Sequence, residues 1–227
     1  MQHKTFRLFI SSTFNDLKEE RNILQNEVFP AIKDFCQIYG FNFEPIDLRW
    51  GVTSEAGLDH QAMDICINEV KKVLNYPRPN FLVILGNRYG WIPVPNRVES
   101  KYFSLLLEEA SKGEKKLLQK WYKEDTNSIP VYYILQPVDE VIEEDLDIAN
   151  IWYKEEEVLR QIFFKYQHIF PENLHLGKSA TEQEIISGIL HSAQQIQSDE
   201  DSVLCIERDI INIDEVEDND VATLIHT

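Results

Sequence analysis

The sequence predicts an α/β fold: a parallel sheet flanked by helices and carrying a long, mostly helical insertion. Two observations lead there. Within the first ninety residues, strand and helix signals alternate in the order strand, helix, strand, helix, strand, the pattern of right-handed parallel crossovers. The third strand candidate, Phe81-Leu82-Val83-Ile84-Leu85, carries no charge at all, as a strand covered on both faces should.

Taken in order, Phe6-Arg7-Leu8-Phe9-Ile10 reads as the first strand, and Ser11-Ser12-Thr13 supplies helix-capping chemistry at its end. From Asp16 to about Tyr39, Leu17, Ile23, Leu24, Val28, Phe29, Ile32, Phe35 and Cys36 recur at helical spacing. Lys18, Glu19, Glu20 and Arg21 fall between them, and Pro30 should bend or restart the helix. Gly40 closes it. Residues 43–48 form a second strand candidate, and residues 59–74 a second amphipathic helix.

Beyond residue 98 the pattern is less regular. A helix is expected over 102–121, a strand over 130–135, a helix over 151–168 and another from Ser179 to about Ile196. A last strand over 202–206 precedes an acidic tail. No internal repeat or linker stands out, so residues 1–212 read as one domain with an insertion, and 213–227 as a flexible tail.

Charge excludes some function classes. The 227 residues carry a net charge of −17, all of it beyond residue 98, where 28 acidic side chains face 11 basic ones. Such a balance disfavours nucleic acid and anionic membranes, which bind basic footprints. The acidic runs 139–157 and 199–220 read as solvated surface. Three scattered cysteines, Cys36, Cys66 and Cys205, suggest neither a disulfide framework nor a zinc site. They fit a reducing, cytoplasmic compartment. No 20-residue apolar run and no signal-peptide core is present.

Three loops collect residues that a plain core does not need: Ser11-Ser12-Thr13-Phe14, Arg49-Trp50-Gly51 and Gly86-Asn87-Arg88-Tyr89-Gly90-Trp91. Each follows a strand, so all three belong at the carboxyl rim of a parallel sheet, where open α/β folds bind ligands. Ser11, Ser12, Thr13, Arg49, Trp50, Arg88, Tyr89 and Trp91 are therefore the ligand-binding candidates. Singly, each has a plainer use as a helix cap, a core filler or a turn residue. Glu184 and Glu182, near the start of the helix opened by Ser179, are the candidate catalytic carboxylates; helix capping is the plainer use for both. No metal-binding histidine pair, nucleophile elbow or Walker A loop appears, and no metal is expected.

These loops carry a resemblance. Arg7-Leu8-Phe9-Ile10-Ser11-Ser12-Thr13-Phe14-Asn15-Asp16, Ile46-Asp47-Leu48-Arg49-Trp50-Gly51-Val52 and Leu85-Gly86-Asn87-Arg88-Tyr89-Gly90-Trp91-Ile92-Pro93 are similar to an N-terminal domain of telomerase-associated, nephrocystin-type and NACHT and WD-repeat proteins. The block from Trp121 to Pro137 and the run Lys178-Ser179-Ala180-Thr181-Glu182-Gln183-Glu184-Ile185 resemble the NACHT and WD-repeat branch in particular.

The resemblance implies a TIR-like, flavodoxin-like fold ahead of a NACHT switch module and WD propellers, the STAND arrangement. It makes residues 99–178 the insertion and 202–206 the fourth core strand, with the fifth strand expected of such sheets missing after 212, an incomplete sheet that would expose a pairing edge. A non-catalytic signalling or assembly role follows, exerted by self-association or by a protein partner. The alternative implied by NAD-cleaving TIR domains is an NAD glycohydrolase or nucleotide sensor. There Glu184, or second Glu182, would stabilise an oxocarbenium-like ribose, Trp50 or Tyr89 would stack on a base, and Arg49 or Arg88 would hold phosphate.

Overall fold

The computed structural model describes residues 4–48, 60–142, 147–190 and 203–209. It divides into two compact units: residues 1–51, 64–91 and 179–227 in the first, residues 52–63 and 92–178 in the second.

The first unit opens with β1 (Thr5–Ser11), followed by the helices α1 (Lys18–Ile23) and α2 (Phe29–Ile38). A π-helical turn, Leu24–Val28, joins these helices. It explains how Pro30 is tolerated. Proline would clash with a carbonyl one turn back, but here it sits in the first turn of α2, where no amide hydrogen is required. Gly40, at φ +76°, ends the helix as expected.

β2 (Asn42–Ile46), α3 (Ala62–Val73) and β3 (Phe81–Leu85) complete the alternation. After the second unit the chain returns through α8 (Ala180–Ile185), a π-helical stretch (Ile186–Leu190) and β7 (Val203–Glu207). The strands lie in the order β2-β1-β3-β7, all parallel, which is the α/β, flavodoxin-like arrangement.

Two-residue alternation sorts the core. Leu8, Ile10, Leu82 and Ile84 turn to one face and pack with Leu17, Phe29 and Phe43. Phe9 and Phe81 turn to the other, their rings stacked at 5.4 Å. Helix approach on that face is close: a Cβ on Gly188 would lie 2.4 Å from the Phe81 ring, so only glycine fits.

The second unit holds β4 (Arg97–Glu99), α4 (Ser100–Glu109), α5 (Lys112–Trp121), β5 (Tyr122–Asp125), β6 (Tyr132–Leu135), α6 (Val138–Val141) and α7 (Ile148–Lys165). The sequence suggested one helix over 102–121; there are two. Ser111 accepts from the Glu114 amide, and the Glu114 carboxylate accepts from the Ser111 amide at 2.7 Å, a capping box that restarts the chain.

The strand expected over 130–135 forms as β6, and it is the middle of a small antiparallel sheet, β4-β6-β5, whose other two strands, three and four residues long, were not expected. The core is aromatic: Trp121, Tyr122, Phe103 and Phe163 are fully enclosed, and Phe103 stacks on Tyr133 at 4.2 Å. His60 lies against Trp152, ring centroids 4.5 Å apart. Lys165 and the Ser111 amide pull the Glu114 carboxyl down to about 2. Among the described residues no helix is long and apolar enough to cross a membrane.

Candidate functional site

The rim residues sit where strand ends place them. Ser11 closes β1 and the 86–91 loop follows β3, so both lie at the carboxyl side of the sheet. Alternation then separates the two serines. Ser11 is wholly enclosed and donates to Glu184 Oε2 at 2.6 Å, fastening β1 to α8. Ser12 Oγ accepts from Arg21 Nε at 2.7 Å, fastening the strand's continuation to α1. Neighbours in sequence thus serve different helices.

Glu184 is 8% exposed. Burial raises its carboxyl to about 7, opposed by hydrogen bonds from Ser11 and Cys66 and by the Arg21 charge. The Cys66 thiol is pushed up in turn, by burial and by the neighbouring carboxylate. A carboxyl poised there exchanges its proton near neutrality, which suits acid–base chemistry. Its partners are the chain's own buried groups.

Glu182 faces a different neighbour. The exposed Tyr89 donates its hydroxyl to the Glu182 carboxylate and accepts from the Ser179 amide at 3.3 Å. Ser179 caps α8, accepting from the Glu182 amide at 3.2 Å. The Trp91 carbonyl accepts from the Ala180 amide at 2.9 Å, while the Trp91 ring is half exposed. Gly90, at φ +94°, lets Thr13 approach: an added Cβ would lie 2.9 Å from Thr13 Cγ2. Arg88 is half-buried in the same loop. Arg49 and Trp50 lie outside the described residues.

Sequence reasoning missed a deeply buried charge. Arg21, expected between the apolar positions, is 1% exposed. Besides Ser12 it donates to the Asp47 carboxylate and to the carbonyls of Ile10 and Ser12, and its guanidinium stacks over Phe14 at 4.8 Å. The signal was available: Leu17, Arg21 and Leu24 occur at helical spacing on one face. A second missed cluster joins Arg208 to the Asp16 carbonyl at 2.6 Å and to Glu20 Oε1 at 2.7 Å. The Asp16 carboxylate beside it is enclosed and accepts no hydrogen bond among the described residues. Among those residues, no group of three or more His, Cys, Asp or Glu could hold a metal.

Known proteins share much of this chain. NACHT and WD repeat domain-containing protein 2 of Homo sapiens is 30% identical over 202 residues, which is 82% of this chain and 11% of that protein. NACHT domain- and WD repeat-containing protein 1 of Mus musculus is 34% identical over 121 residues, 52% of this chain and 8% of that one. Telomerase protein component 1 of Mus musculus is 39% identical over 90 residues, 40% of this chain and 3% of that protein. The chain thus spans about a tenth or less of these relatives. No solved structure matches it. Residues 7–144 match the family described as "Domain of unknown function (DUF4062)", and the chain belongs to that family.

Proposed function

We propose that this chain is a signalling or assembly module of a NACHT and WD-repeat protein of the STAND type, acting in the cytoplasm by self-association or by binding a protein partner. The observation that carries the reading is apolar surface left in solvent. On and just beyond α2, Phe35, Ile38 and Tyr39 are 60%, 78% and 64% exposed, more than scattered single residues explain. Relatives named for WD and tetratricopeptide repeats, scaffolds that present extended binding surfaces, support it further. The TIR-like character, and the treatment of 99–178 as an insertion in one domain, belong to the same proposal. Light scattering of the full chain over a hundredfold concentration range tests it, together with capture of partners from the source cell. Rising mass or a stoichiometric partner is expected. A monomer at every concentration that retains nothing would end it.

The second reading, an NAD glycohydrolase or nucleotide sensor, is favoured by Glu184 alone, whose carboxyl at about 7 can carry a proton in and out. In it Ser11, Ser12, Thr13, Arg88, Tyr89 and Trp91, with Arg49 and Trp50, would line the ligand. Nicotinamide release from NAD, abolished in Glu184→Gln and kept in Glu182→Gln, is the result it requires. A thermal shift with NAD and no product would identify a sensor.

A further inference from the structure

The two margins of the parallel sheet differ in what they offer a further strand. Among the described residues β2 pairs with β1 alone, and β7 with β3 alone. On β2 the Asn42 amide donates inward to Lys4 O at 2.8 Å, so alternation turns Phe43 and Pro45 toward the free margin. Proline there withholds a donor, a common guard against strand addition. On β7 the Arg208 amide donates inward to Leu85 O at 2.8 Å, so Val203, Cys205 and Glu207 present their backbone groups outward. Val203–Glu207 contains no proline and no lysine, and Leu204 and Ile206 are 48% and 49% exposed.

From this we infer that β7 is a self-association surface in addition to the apolar patch of α2, completed by the β7 strand of a second copy running antiparallel across a two-fold axis centred on Cys205. This deepens the assembly reading and rests on it. The strand is self-complementary about that centre. Each Leu204 meets the partner's Ile206, and each Glu207 meets the partner's Val203, so no like charges face each other within the strands. Val203, Cys205 and Glu207 all present outward, so the Cys205–Cys205 and Val203–Glu207 pairs each close both of their hydrogen bonds, and Leu204–Ile206 is the non-hydrogen-bonded pair between them. The two Cys205 Cα atoms then lie at the ~5.5 Å of a hydrogen-bonded antiparallel pair, inside the roughly 4.4–6.8 Å span a disulfide bridges. Cys205 is an exposed free thiol, so it reports the pairing directly.

The test uses the full 227-residue chain. Mild copper-phenanthroline oxidation should yield a disulfide-linked dimer on a non-reducing gel. That dimer should vanish in Cys205→Ser and persist in Cys36→Ser and Cys66→Ser. By sedimentation, Leu204→Lys should weaken association at least about tenfold with its circular dichroism unchanged, while Cys205→Ser should leave it within about twofold. If the chain associates without Cys205 cross-linking and Leu204→Lys changes nothing, the surface lies elsewhere; the inference falls and the assembly reading stands. If the chain is monomeric at every concentration, for instance because a later segment covers β7, the inference falls and the assembly reading then depends on a partner.

Discussion

The two units are held together by different physics. The first fastens its strand ends to its helices through enclosed polar links: Ser11 to Glu184, Ser12 to Arg21, and Arg21 to Asp47. The second relies on aromatic packing, with Phe103, Tyr122, Tyr133 and Phe163 in one linked set of ring contacts and Trp121 and Trp152 packed against each other in another. Polar links fix one geometry and fail abruptly when a partner is lost, because the survivor is left desolvated. Ring packing is less directional and fails in proportion to the volume removed. The strand ends of the first unit are thus tied to their helices by hydrogen bonds, above an apolar core of their own.

The contrast can be broken most severely at Trp121. Trp121→Ala removes the largest enclosed side chain and should cost about 3–5 kcal/mol, read from denaturant unfolding. Arg21→Met comes next. It breaks the enclosed Arg21–Asp47 ion pair and should cost about 3 kcal/mol, and adding Asp47→Leu should restore much of the loss. A pair of variants that failed to recover would mean that the links to Ser12 and Ile10 matter more than the ion pair.

pH provides the third test. The Glu184 carboxyl lies at about 7 in the folded chain, against an ordinary value of 4.5. The folded state therefore holds a proton that the unfolded state releases between those limits. Stability from this group is greatest below about pH 4.5, declines as pH rises toward 7, and is level above that, a change of roughly 3 kcal/mol. Glu184→Gln should flatten that part of the stability profile. An unaltered slope would mean the carboxyl is ionised and solvated in the fold. The smallest effect is expected at Gly90→Ala, where a positive φ and the Thr13 methyl group together should cost about 1–2 kcal/mol in thermal unfolding.

Much of this was legible in the amino-acid order. The three bulky runs at 6–10, 43–48 and 81–85 gave strands within two residues of their observed ends, because uncharged or alternating β-prone stretches have few other uses. That the loops after β1 and β3 share a rim followed from parallel topology alone. Side-chain pairings across long separations were not legible. Ser11 and Glu184 are 173 positions apart, and nothing local marks either as the other's partner. Arg21 was misjudged because charge was weighed above helical phase. The break at Ser111 was hidden because the residues on both sides continue a helical pattern, and only the Ser111–Glu114 reciprocity marks a fresh start.

Pro45 has a consequence beyond its own strand. A ribbon that accepts a neighbour on either side can lengthen without limit into a fibre. With one flank short of a donor, a head-to-head union through the other flank would exhaust the supply of open ends, and growth would halt at two.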